Sequence, residues 1–172
     1  MNMKTSLRGW YLLQLLTIGA LIGYALFLQY RHGLEPCPLC ILQRLVFFAL
    51  AGVALIALVH GPRGWGRWLY GLSGTVVAAV GAGISAWHVR LQNLPADQVP
   101  TCGPGLDFMM ENFPLADALR MIFQGSGECA EQLWSFLGLS MPAWALVWFL
   151  LLGLAALVPL VPGLRRRVLS TG

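Results

Sequence analysis

Four long apolar runs, separated by polar connections of unequal length, organise the 172-residue chain. The first extends from Trp10 to Tyr30 without a charge, and the second from Ile41 to Val59 with only Arg44 near its start. The third covers Leu69 to Trp87 and the fourth Ala143 to Val161. About 20 apolar residues suffice to cross a bilayer as a helix. Lipid offers no partner to a backbone amide, so each run must satisfy its own hydrogen bonds and is predicted helical. The predicted fold class is an all-α membrane protein, a four-transmembrane-helix bundle that forms a single integral domain over residues 1–172. The first run exceeds the roughly 7–15 residues of a signal-peptide core and lacks a small-x-small site before a polar segment, so it is read as retained.

Within these runs, small residues predict where helices approach closely. Gly19 and Gly23 form a GxxxG spacing in the first, read as packing only. The third carries Gly71, Ser73, Gly74, Ala78, Gly81, Gly83 and Ser85. Such faces let backbones come together without side chains between them.

The connection after the first run is short, about residues 31–40, whereas that after the third spans about residues 88–141. A connection of this length exceeds a turn. It contains Pro95, Pro100, Pro104, Pro114 and the breaker Gly125-Ser126-Gly127. Between residues 113 and 123, Leu115, Leu119, Ile122 and Phe123 share a helical face, with Asp117 and Arg120 off it. This predicts a short amphipathic helix on the membrane surface. The segment is too small for a core of its own, so a mobile loop anchored by that helix is expected.

Composition agrees with the pattern: 58% of residues are hydrophobic and 10% charged, against roughly 25% charged in soluble domains. Charge then adds orientation. Lys4, Arg8, Arg63, Arg67 and Arg165 to Arg167 fall on one side of the predicted bundle. All seven acids, Glu35, Asp97, Asp107, Glu111, Asp117, Glu128 and Glu131, fall on the other. Lysines and arginines in short loops stay on the cytoplasmic side, which predicts cytoplasmic termini. The net charge of +4 thus reflects topology and gives no argument for nucleic acid binding.

All four cysteines lie in the two outward connections: Cys37 and Cys40 in Pro36-Cys37-Pro38-Leu39-Cys40, and Cys102 and Cys129 in the long one. Disulfides persist outside the cytosol, so two pairs on one side of a bilayer predict electron movement between dithiols. A metal site is the competing reading. Zinc sites usually combine two close pairs or a Cys/His set, whereas Cys102 and Cys129 stand 27 residues apart without an adjacent ligand. A cysteine at a helix N-terminus is expected to favour thiolate. Arg44, four residues after Cys40, lies one turn deeper on the same face, where a fixed cation would stabilise that thiolate and polarise a carbonyl; the plainer reading is a snorkelling arginine. His88 is expected at the outward end of the third helix, where a lone histidine is usually a polar end residue.

The run Cys37-Pro38-Leu39-Cys40-Ile41-Leu42-Gln43-Arg44 resembles the CxxC-xxxR signature of the disulfide bond formation protein B family. So does Gly127-Glu128-Cys129-Ala130-Glu131, followed by Trp134, Phe136-Leu137-Gly138-Leu139 and Met141-Pro142-Ala143-Trp144. The resemblance covers nearly the whole chain. It implies a bacterial inner-membrane oxidoreductase with periplasmic cysteines and redox-active disulfides Cys37–Cys40 and Cys102–Cys129. Its partner would be a DsbA-type periplasmic thiol oxidase, attacking at Cys102. Cys129 would then exchange with Cys37, and Cys40 would pass electrons to ubiquinone or menaquinone held near Arg44, with His88 close by, and on to the respiratory chain. Other readings are a vitamin K epoxide reductase-like enzyme, disfavoured because its membrane CxxC follows the loop cysteines, a paralogue with one dedicated partner, and a non-enzymatic metal-binding membrane protein.

Overall fold

The computed structural model describes residues 3–34, 36–95, 112–124, 127–130 and 134–161. Glu35, Asp97, Pro100, Cys102, Pro104, Asp107, Glu111, Gly125, Ser126, Glu131 and Arg165 to Arg167 lie outside the described residues. Four helices carry the apolar runs: α1 (Met3–His32), α2 (Pro38–His60), α3 (Gly66–Gln92) and α6 (Met141–Leu157). Between α3 and α6 lie α4 (Leu115–Gln124), the four-residue α5 (Gly127–Ala130), and a hairpin of β1 (Ser135–Phe136) and β2 (Leu139–Ser140). The first three long helices are apolar and long enough to cross a membrane, and α6 is a shorter apolar helix. The chain is a multi-pass helical membrane protein.

Helix ends depart from the apolar runs for local reasons. Helix α1 takes in Lys4, Arg8 and Arg31, because hydrogen bonding continues past the edge of the hydrocarbon. Helix α2 begins at Pro38, whose missing N–H costs nothing in a first turn. It ends at Gly61, which takes the left-handed conformation (φ 58°) that glycine adopts without strain. At that end Arg8 Nη2 approaches the Val59 carbonyl at 3.5 Å, placing a cation near the negative pole of α2. Helix α6 stops at Leu157 rather than Val161, and its last turn continues as a bend closed by Leu160 N–H donating to the Leu157 carbonyl at 2.9 Å. Pro159 lies in that bend and cannot supply an amide to an α ladder.

The small residues of α3 bury a single line, Gly71, Gly74, Ala78, Gly81 and Ser85, spaced alternately three and four apart, and His88 continues it. Helix α6 packs there: a Cβ on Gly81 would run into the Phe149 ring, and one on Gly74 would meet the Ala156 Cβ at 3.2 Å. The Phe149 ring stacks on Phe47 of α2 with centroids 4.0 Å apart, joining three helices at the centre of the bundle beside Ile18 of α1. Trp10 Nε1–H donates to the Ala155 carbonyl (3.0 Å) and ties α1 to α6. Gly83, in contrast, faces outward, and a Cβ on Gly19 or Gly23 would meet nothing within 4 Å among the described residues. The GxxxG spacing of α1 therefore does not serve packing within these residues.

The amphipathic helix is present as α4, but its apolar face is divided. Ile122 turns into the protein against Leu39 and Leu91, while Phe123 stays exposed. Trp87 Nε1–H donates to the Phe123 carbonyl at 2.9 Å and fastens the end of α4 to α3. The helix thus docks on the end of the bundle that carries Cys37; Leu115 and Leu119 have no described side chains.

Candidate functional site

Cys37 is the N-cap of α2, with an extended backbone (φ −64°, ψ 163°), and Pro38 occupies the first helical turn. The CxxC spacing then brings Cys40 round by nearly one turn, so its backbone N–H donates to Cys37 Sγ at 3.4 Å. The two sulfurs lie 3.2 Å apart, with the Cys37 thiol donating to Cys40. Helix two therefore starts three residues before its apolar run, and the pair is built into its first turn. Cys37 and Cys40 are free thiols in this arrangement.

On the inner side of Cys37 lie two residues from other elements. His88 of α3 and Cys129 of α5 are both about 1% exposed. Cys37 Sγ, His88 Nε2 and Cys129 Sγ all lie within 4.8 Å of one another, and Nε2 is 3.7 Å from Cys37 Sγ. The expectation of His88 as a polar end residue is overturned. Helix α3 runs a further turn to Gln92, which carries His88 inside the protein beneath α5.

The imidazole is held at both nitrogens. Nδ1 is 3.2 Å from Gln43 Nε2, and Nε2 is 3.1 Å from the Cys129 carbonyl. An amide NH2 can only donate and a carbonyl can only accept, so the network assigns the neutral tautomer with its proton on Nε2. Gln43 is buried on the same line of α2 as Leu39, Phe47 and Leu50. Sequence reasoning passed over Gln43, although a polar residue on the core line of an apolar helix was the available signal.

The electrostatics of Cys37 oppose the expectation of a thiolate there. The neighbouring Cys129 thiol pulls its acidity one way, but donation to Cys40 and burial together win and push the Cys37 thiol up to about 12. The N-cap sulfur is the protonated donor of the pair.

Cys40 also lines a cavity of about 410 Å³ between α1, α2, the hairpin and α6. Its walls are mostly aromatic and aliphatic, including Tyr24, Phe47, Trp134, Phe136, Trp144 and Trp148. Arg44 is the charged residue in that lining, and it donates to Gln29 Oε1 of α1 at 2.5 Å. The hairpin supplies one wall through a tight turn in which Leu137 (φ 52°) and Gly138 (φ 78°) are both left-handed, as a two-residue hairpin loop requires. Trp144 Nε1–H donates to the Phe136 carbonyl (3.0 Å), and Trp134 meets Tyr24 edge-on at 6.2 Å, so the wall is braced from both sides.

The arrangement brings together Cys37, Cys40, Cys129 and His88, with Arg44 on the cavity side of Cys40. It presents one dithiol with two neighbours: a third thiol on its buried face and an apolar, cation-bearing cavity on the other. Such a centre can exchange disulfides on one side and serve a flat apolar ligand on the other.

Comparison with known proteins agrees with this chemistry. The family model described as disulfide bond formation protein DsbB matches residues 7–159. A protein named disulfide bond formation protein B from Nitrosococcus oceani is 51% identical over 155 residues, covering 90% of this chain and 92% of that protein. Its namesake from Methylococcus capsulatus is 51% identical over 153 residues, covering 89% and 93%. That from Hahella chejuensis is 49% identical over 140 residues, covering 81% and 85%.

Proposed function

The chain belongs to the disulfide bond formation protein B (DsbB) family, and from that premise we propose that it is a quinone-dependent protein-disulfide oxidoreductase that reoxidises a DsbA-type periplasmic thiol oxidase. On this reading it sits in the bacterial inner membrane with both termini cytoplasmic, as the lysine and arginine distribution supports, and with its cysteines periplasmic. The observation that carries the reading is the position of the Cys37/Cys40 pair between Cys129 and the cavity bearing Arg44.

The electrons move in pairs. A thiolate of the reduced partner attacks Cys102 of the Cys102–Cys129 disulfide, and Cys129 leaves with the bonding pair. The partner's second thiolate attacks the mixed disulfide, so the partner departs oxidised and the loop is left as a dithiol. Cys129 then attacks Cys37 of the Cys37–Cys40 disulfide, forming a Cys129–Cys37 bond while Cys40 leaves as thiolate. Attack by Cys102 on Cys129 restores the loop disulfide and releases Cys37, so the pair now holds both electrons. The nearness of Cys129 to Cys37 supports the first exchange between the pairs, and an attacked Cys37 need not itself be a thiolate.

The cavity suits a quinone head group: it is apolar, lined with rings, and offers a guanidinium where a carbonyl oxygen needs a donor. A ubiquinone or menaquinone held there by Arg44 and the aromatic walls would supply the two-electron acceptor through which Cys37 and Cys40 return to a disulfide. Arg44, oriented by Gln29, binds and positions that acceptor beside Cys40 and favours negative charge at its oxygen. The rings of Trp134, Phe136 and Trp144 exclude water from the same space.

The test is multiple-turnover loss of oxidised quinone absorbance by the purified protein with an excess of reduced DsbA-type partner. Wild type turns over, whereas Cys40→Ser stops after at most one oxidation of partner by the loop disulfide. Sustained turnover in Cys40→Ser, or none in wild type, would refute the assignment.

A further inference from the structure

We propose that the fully reduced chain binds one soft divalent cation of the zinc class through Cys37, Cys129, His88 and Cys40. Along the chain no ligand stands near the second cysteine pair, but in the fold α3 delivers His88 and α5 delivers Cys129 to the CxxC of α2. The donor atoms of Cys37, His88 and Cys129 lie within 4.8 Å of one another, and Cys40 Sγ stands 3.2 Å from Cys37 Sγ. In a tetrahedral Cys₃His site with metal–sulfur bonds of about 2.3 Å, donor atoms are roughly 3.4–3.8 Å apart. The donors of Cys37, His88 and Cys129 therefore need contraction by only about 1 Å at their widest, and Cys40 supplies the fourth position from beside Cys37.

Ligation needs Nε2 of His88 unprotonated, so the imidazole proton must move to Nδ1. Gln43 is placed to accept it: turning its amide over presents Oε1 where the NH2 now sits, 3.2 Å from Nδ1. A ligating histidine commonly donates its second N–H in this manner. Three thiols release three protons, so a divalent cation leaves the site with one net negative charge. The N-terminus of α2 and the Arg44 guanidinium, one turn beyond Cys40, offset it. No electron is transferred on binding. Oxidation of Cys37 and Cys40 to a disulfide withdraws two thiolates, so the cation binds the reduced chain and is expelled by oxidation. Its binding stands apart from the oxidoreductase reading, while the consequence that it stalls electron transfer rests on that reading.

The experiment titrates Co²⁺ and then Zn²⁺ into purified detergent-solubilised protein, reduced or oxidised. The reduced wild type is expected to take up one equivalent of Co²⁺ with thiolate-to-metal charge-transfer absorption, displaced by Zn²⁺, and the oxidised wild type none. His88→Ala and Cys129→Ser should each weaken binding at least about tenfold, and Gln43→Leu about 10- to 100-fold. No stoichiometric uptake by the reduced wild type, or equal uptake after oxidation, would overturn the proposal without reference to any variant. Quinone turnover with chelator present is measured in parallel. Turnover without metal uptake removes the site alone, and metal uptake without turnover removes the oxidoreductase reading alone.

Discussion

The side-chain amide of Gln43 lies 3.2 Å from Nδ1 of His88 and thereby determines which imidazole nitrogen carries the proton that reaches the Cys129 carbonyl. One glutamine on α2 thus orients a histidine on α3, which in turn holds the backbone of a cysteine on α5. The loop cysteine is positioned by the bundle rather than by its own four-residue helix.

Gln43→Leu should accordingly leave a buried imidazole nitrogen without a donor. A cost of about 1–3 kcal/mol in stability is expected, together with slower exchange between the loop and the CxxC pair. Thermal unfolding in detergent followed by tryptophan fluorescence, beside stopped-flow thiol exchange, checks both. An unchanged melting temperature would mean that the amide does not serve the ring.

Arg44→Leu removes the cavity cation and should weaken quinone use far more than thiol exchange with the partner. Loss of a charge-assisted hydrogen bond costs about 1.5–3 kcal/mol, or very roughly 10- to 150-fold. Arg44→Lys should recover part of this, since charge is kept but the planar fork is lost. Gln29→Leu should have a smaller effect in the same direction, because Gln29 acts through Arg44. Apparent quinone affinity is the measurement, and equal values in wild type and Arg44→Leu would leave the arginine a snorkelling residue.

Because the Cys37 thiol is pushed up to about 12 from 9.0, on the order of a thousandth of it is thiolate at pH 9. Alkylation of Cys37 in the reduced native chain should therefore keep accelerating between pH 9 and pH 12, whereas the denatured chain levels off near pH 9–10. Peptide mass spectrometry after timed iodoacetamide pulses gives the two profiles. The profile's shape is decisive, since burial slows the absolute rate at every pH.

Two glycines two residues apart on α3 should behave oppositely. At Gly81 an added methyl meets the Phe149 ring, whereas at Gly83 it meets nothing within 4 Å. Gly81→Ala is expected to destabilise by about 1–3 kcal/mol through overpacking. Gly83→Ala should be neutral, or stabilising by up to about 1 kcal/mol from helix propensity. Parallel denaturation of the two variants tests the close approach of α3 and α6.

A partner lacking its resolving cysteine, mixed with the oxidised wild-type chain, should attack the Cys102–Cys129 disulfide and accumulate a mixed disulfide at Cys102, since Cys129 leaves as thiolate and moves on to Cys37 while the partner has no second thiol to complete the exchange. Tryptic mapping of the trapped species locates the bond. Linkage through Cys37 or Cys40 would show the partner bypassing the long connection, and the order of exchange proposed above would fail.

By itself, the sequence determined the helices and the dithiol. Apolar runs of spanning length must be helical wherever water is absent, and a CxxC at a helix entrance forms its pair through local geometry alone. It also marked α3 as a helix of close approach through its small residues, of which the fold buries the line from Gly71 to Ser85 and leaves Gly83 outside. His88 lies on that same line, three residues after Ser85, and Gln43 lies on the core line of α2. Their burial was thus legible, but their partnership was not. Which polar atoms meet depends on how α2 and α3 are rotated and offset against each other, and no pattern within one helix records that. Only the tertiary structure decided that Cys129 returns to Cys37, that Ile122 turns inward while Phe123 does not, and that Cys40 opens onto a cavity whose walls come from four separate segments. Contacts between distant segments follow from packing the whole bundle at once, whereas the spans and the dithiol follow from neighbours along the chain.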